Sequence, residues 1–145
     1  GQDAAGPIKD YSRVLTGAVD LTLVHVNAKT LPVLFQPPTL YSIRSRTRES
    51  TVIYVQGTTS RDIDLDTKTF TVEQGGASTE GTPQNIKNFQ TGKVAKGSHI
   101  DGLLVFAKLV DPSKPFTVKH GKDSVEFKFS NDLVKAIAVP ATQQQ

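Results

Sequence analysis

The 145-residue sequence contains no cysteine, no methionine and no tryptophan. Without cysteine there is no disulfide, no thiolate zinc site, no cysteine nucleophile and no thiolate-held iron–sulfur cluster. Such a chain fits the cytosol, or a bacterial envelope protein that depends on its core instead. With no Trp and only three Tyr, the aromatic platforms on which sugar-binding sandwiches rely are scarce. No apolar run approaches the ~20 residues a membrane-spanning helix needs, so no transmembrane segment is expected. A dominant charge is missing as well. Seventeen Lys and Arg against fourteen Asp and Glu leave +3, a mixed surface rather than the one-sided field of most nucleic-acid binders, and nucleic acid is not an expected partner.

What is present is enough for one ordinary domain. A chain of this size buries about 68–70% of its unfolded surface, so it can fold without a metal or a disulfide. The opening Gly1–Pro7 is small and polar. Residues 1–10 read as a flexible tether after a removed secretory signal, or as a remnant of tag cleavage. Residues 11–139 read as the single domain and 140–145 as a polar tail. An exported setting, periplasmic, cell-surface or secreted, is the expectation.

Strand signals dominate. Val19, Leu21 and Leu23 recur at every second position, Thr51–Gln56 is rich in β-branched residues, and Phe70 and Val72 alternate with polar neighbours. Leu31–Phe35 carries Pro32 and reads as a short or edge strand. Leu40–Thr47, after the Pro37-Pro38 break, reads as a strand with Tyr41 and Ile43 on one face. Gly75–Asn88 has few large apolar residues and reads as a long loop. Gly102–Leu109 is the most continuous apolar run and predicts a strand in mid-core. Phe116–His120 and Ser124–Phe129 flank a short glycine-containing loop and predict a β-hairpin. Residues 133–139 fit a closing strand or a short helix, and Ser130-Asn131-Asp132 ahead of them suit an N-cap. About eight short strands with turn signals every 8–12 residues predict an all-β fold: a two-sheet antiparallel β-sandwich, with a small β-barrel as the alternative.

The chemistry-bearing patterns are sparse. Asp62, Asp64 and Asp66 share one face if their segment is extended, and such oxygen-rich rows can hold calcium. They lack the glycine and closing glutamate of an EF-hand loop, so no metal site is predicted, and the plain reading is a solvent-facing turn. Arg44, Arg46 and Arg48 form the complementary row. Guanidinium groups there can take phosphate, sulfated glycan or an acidic partner in bidentate fashion, or can pair with the Asp row for about 0–1 kcal/mol per exposed pair. His25, His99 and His120 lie on separate segments without metal-ligand spacing. His25 reads as a half-buried histidine with a hydrogen-bond partner, and His99 as part of a turn. Gly92–Ser98 has the glycine spacing of a phosphate loop but no lysine after the second glycine. No nucleophile elbow marks any serine. No catalytic residue and no cofactor is expected.

From Val52-Ile53-Tyr54-Val55, through Phe70-Thr71-Val72 and Gly102-Leu103-Leu104-Val105-Phe106, to the Phe116/Phe127 hairpin, residues 51–129 resemble immunoglobulin-like sandwich domains of bacterial exported proteins and lipoproteins. The resemblance implies an envelope-associated accessory or interaction domain and transfers no functional residue. The sequence therefore points to a non-enzymatic exported domain that binds a protein or cell-envelope component, with homodimerisation open. Its alternative is a module for anionic glycan or phosphate-bearing ligands through the Arg row.

Overall fold

A chain patterned with period two buries one face by pairing into a sheet. The computed structural model describes residues 5–17 and 19–138. Among the described residues strands take 43% and helices 18%, so the all-β expectation holds for the body of the fold. In chain order the elements are α1 (Ala5–Asp10), β1 (Ser12–Leu15), β2 (Leu21–His25), α2 (Leu31–Leu34), α3 (Thr39–Arg46), β3 (Thr51–Thr58) and β4 (Ile63–Leu65). Then follow β5 (Phe70–Gln74), β6 (Ala77–Lys87), β7 (Gly92–Val94), β8 (His99–Phe106), β9 (Phe116–His120), β10 (Asp123–Phe127) and α4 (Asn131–Ile137).

Eight strands form one antiparallel sheet in the order β1-β2-β3-β8-β6-β5-β9-β10, and β4 pairs with β7 separately. The sheet curls until β1 lies against β10. At that seam Arg13 donates from Nη2 to the Lys128 carbonyl at 3.0 Å and lies over the rings of Phe127 and Phe129. The Tyr11 hydroxyl donates to the Leu133 carbonyl at 2.7 Å, tying α4 to the same seam. This nearly closed sheet fits the barrel alternative. The immunoglobulin-like two-sheet arrangement is not confirmed, because all eight strands follow one hydrogen-bonded order.

Continuity depends on β6, whose first residues pair with β5 up to Glu80 and whose remainder pairs with β8 from Gly81. At the change of partner, a Cβ on Gly81 would stand 2.6 Å from the Phe106 ring, so only glycine fits. Beyond Glu80 one side of β6 has no ladder with β5, and a strand paired on one side tolerates a proline such as Pro83. The β5–β6 turn needs positive φ at Gly75 (60°) and Gly76 (82°), as a two-residue hairpin loop requires.

The interior is filled by Ile53, Val55, Phe70, Leu104, Phe106 and Phe127, all fully buried. The alternate residues of β3 and β8 (Val52, Tyr54, Leu103 and Val105) face outward, yet they are not left in water. Helices α2 and α3 lie over them, and Leu31, Phe35 and Ile43 complete a second, smaller core with Val26, Val52 and Leu103. Burying each large side chain contributes about 1.5–3 kcal/mol, which holds the helical cover in place. A strand buried on both faces reads as a continuous apolar run, which explains Gly102–Phe106.

Several expectations need correction. Leu31–Leu34 is helical, not a strand: Pro32 sits in the first turn, where its missing N–H has no partner to lose. Thr39–Arg46 is also a helix, so Tyr41 and Ile43 do not share a face. At 100° per residue they are about 200° apart; Ile43 is buried and Tyr41 is 54% exposed. The long loop expected over 75–88 is mostly β6. His99 opens β8 instead of lying in a turn. The hairpin is borne out by β9 and β10, with Phe116 opposite Phe127 and their rings stacked 5.0 Å apart. The open choice over 133–139 resolves to helix through Ile137, and Ser130 Oγ accepts from Leu133 N at 3.2 Å as an N-cap. Within the expected tether, Ala5–Asp10 are helical. Residues 1–4, residue 139 and the polar tail at 140–145 lie outside the described residues.

Candidate functional site

The same helical cover that forms the second core leaves a groove at its edge. Thr39, Ser42, Ile43 and Arg46 are spaced i, i+3, i+4 and i+7, so α3 presents them as one stripe, and all four line the groove. Its floor is the outer face of the sheet: Tyr54 from β3, and Asp101 and Leu103 from β8. The opposite wall is Gln84 and Ile86 of β6, and the segment after α2 closes one end with Phe35, Gln36 and Pro37. The space measures about 720 Å³, within the range of small-ligand and short-peptide sites.

Two polar contacts organise it. The Tyr54 hydroxyl donates to Asp101 Oδ1; burial and then that carboxylate push the phenol's pKa well above the ordinary tyrosine range. Asp101 Oδ2 also faces His99 Nε2 at 3.6 Å. Across the groove, Arg46 Nη1 donates to Gln84 Oε1 at 2.9 Å, joining the α3 wall to the β6 wall. The Phe35 ring meets Tyr54 edge-on, with centroids 5.9 Å apart. The result is a trough of mixed lining, with a carboxylate that accepts the Tyr54 hydroxyl and a guanidinium at its rim. Ile86 stands there 50% exposed.

The Arg row is dispersed by the helix. Arg46 enters the groove, while Arg44 lies over the ring of Tyr41 at 5.3 Å on the other side of α3. Arg48 follows the helix in an exposed turn. None of the three is paired with the Asp row. Asp62 accepts from Lys96 N at 2.8 Å, Asp64 sits opposite Lys93 in the β4–β7 pair, and Asp66 accepts from Lys68 N at 2.9 Å. Among the described residues no three His, Asp or Glu side chains gather as metal ligands.

The histidines have local roles. His25 is buried rather than half-buried; its Nδ1 accepts from the Asn27 amide at 2.9 Å, and its ring packs between Phe116 and Phe129. Burial lowers its pKa to about 4. His120 stacks on Phe70 at 4.2 Å, with Nε2 2.7 Å from the Asp66 carbonyl.

Sequence reasoning picked out Arg46 and missed Tyr54, Asp101 and Phe35, which come from segments far apart in the chain. One signal was available. The outward positions of β3 and β8 are as apolar as the inward ones, which calls for a covering layer and hence an edge to that layer. No family model, no curated protein and no solved structure matches the chain.

Proposed function

We propose that the chain is a non-enzymatic interaction domain that holds a segment of a partner protein in the groove between α3 and the outer face of the sheet. The observation that carries this reading is the groove itself. It combines a buried apolar base of Phe35, Ile43 and Leu103, several exposed hydrogen-bonding side chains and an Arg46 with no carboxylate in ion-pair distance among the described residues. No serine or threonine with an adjacent base lines it, and Tyr54, which keeps its proton and donates a hydrogen bond to Asp101, suits positioning better than proton transfer. The reading keeps the exported setting expected from the sequence and its resemblance to immunoglobulin-like envelope domains, here on a barrel. Among the described residues, no helix is long and apolar enough to cross a membrane.

A second reading, recognition of sulfated glycan or phosphate, is favoured by one feature: Tyr41 and Arg44 lie together on α3 away from the groove, and Arg48 is exposed in the turn that follows the helix. Calorimetric titration with short peptides, a heparin-derived oligosaccharide and inorganic phosphate separates the two. Ser42→Trp fills the groove and abolishes peptide binding on the first reading. Binding of the oligosaccharide alone, lost in Arg44→Gln/Arg48→Gln, supports the second and sinks the first. Fractionation tests export: recovery of the full-length protein in the cytosol with its first methionine intact contradicts it.

A further inference from the structure

We infer that the groove receives the free carboxyl terminus of an extended peptide ending in an apolar side chain; this rests on the groove being the partner site. Charge complementarity carries the inference. Of the two ionised groups in the groove, Asp101 is already committed, accepting the Tyr54 hydroxyl and facing His99. Arg46 is not. Its guanidinium has five donors, one of which goes to the neutral Gln84 side chain. Among the described residues no carboxylate lies within ion-pair distance of it. The uncommitted charge is positive and carries a planar fork, the geometry that grips a carboxylate through two parallel bonds.

The surroundings select the rest of the ligand. One turn before Arg46, Ile43 is buried on the same helix stripe, Leu103 is buried in the floor, and Ile86 stands half-exposed on the far wall. An apolar side chain next to the bound carboxylate covers Ile86 and completes that seat. Further from Arg46, the exposed Ser42, Thr39 and Gln36 bring hydrogen-bonding groups along the wall. Main-chain amides of a peptide can use these groups, whereas a hydrocarbon tail would leave them dry and unpaired, at a cost. From Thr39 to Arg46 the stripe runs about 10 Å at 1.5 Å per residue, the reach of about three extended residues.

The test is fluorescence anisotropy with an N-terminally labelled pentapeptide pool, random at four positions and ending in leucine, supplied as free acid and as amide. The free acid is expected to bind at least about tenfold more tightly than the amide, the scale of a charge-assisted hydrogen bond. Arg46→Gln erases that preference without weakening the amide, and Arg44→Gln, outside the groove, preserves it. Equal binding of acid and amide, both lost in Ser42→Trp, overturns the carboxylate inference and leaves the groove standing as a binding site. Saturable binding of decanoate in a direct calorimetric titration, with no binding by the pool, overturns it in favour of a lipid-like anion. Failure of every probe to bind overturns it together with the reading on which it rests.

Discussion

Tyr54 and Asp101 sit on neighbouring strands, one diagonal step apart in the register that sets Gln56 opposite Asp101, and the phenol donates a hydrogen bond to the carboxylate on the outer face of the nearly closed sheet. Cross-strand diagonals of this kind lie within reach of long side chains. The contact fixes part of the floor of the groove and orients both groups.

Replacing Tyr54 by Phe removes that donor and leaves a partly buried carboxylate short of one hydrogen bond. The expected cost is about 1 kcal/mol, discounted for partial exposure, read as a lower urea midpoint with an unchanged slope. The ionisation is a second readout. In an alkaline absorbance titration of the phenols, Tyr54→Phe should remove a component that titrates above the ordinary tyrosine range. Loss of an ordinary component instead contradicts the contact.

His25 predicts an acid-sensitive fold. Its pKa falls from 6.5 when unfolded to about 4 in the native state because burial disfavours the charged ring. Between those values the unfolded chain binds the extra proton, so stability is full above pH 6.5, declines toward pH 4 and levels off below it. The contribution at stake is at most about 3 kcal/mol. His25→Leu should lose this part of the slope even though its overall stability is lower, since the Asn27 amide loses its Nδ1 acceptor and keeps only the backbone carbonyl of residue 25. Urea midpoints measured from pH 4 to 8 on both chains decide it, and parallel curves would contradict the assignment.

Gly81 and Phe106 form a size-matched pair where β6 changes partner. Gly81→Ala pushes a methyl group into the Phe106 ring and is expected to cost about 1–3 kcal/mol, as overpacking does. Phe106→Leu costs stability alone, through a cavity, but should recover part of the loss when combined with Gly81→Ala. Simple additivity of the two changes would show that they do not share the space.

How much of this was legible in the sequence differs by element, for physical reasons. The β9–β10 hairpin was readable because Phe116, Val118 and Phe127 alternate cleanly around a glycine loop. Leu31–Phe35 was misread because a short apolar run fits helix and strand alike, and Leu40–Thr47 because Tyr41 and Ile43, two residues apart, mimic the alternation of a strand. There the sheet surface decided, since Val52, Tyr54 and Leu103 needed a cover that Leu31 of α2, Phe35 just after it and Ile43 of α3 supply together. β6 was read as a loop because its inward positions, Thr79, Gly81 and Pro83, are small or polar. The bulk that fills the space beneath Gly81 is Phe106, which belongs to β8. The site was legible only as Arg46, picked out for the wrong local geometry. Helical spacing, by turning Arg44 and Arg46 apart, made one of them a groove residue and the other a surface residue.

The most direct test of the central claim, that the groove between α3 and the β3–β8–β6 surface is the binding site, is an amide chemical-shift footprint of the ¹⁵N-labelled chain titrated with the free-acid peptide pool. The account predicts saturable shifts concentrated at Ser42, Arg46, Tyr54, Gln84, Ile86 and Leu103, with the β9–β10 hairpin and the β4–β7 pair unmoved. Shifts centred on the hairpin, on the Tyr41–Arg44 face, or nowhere would contradict it.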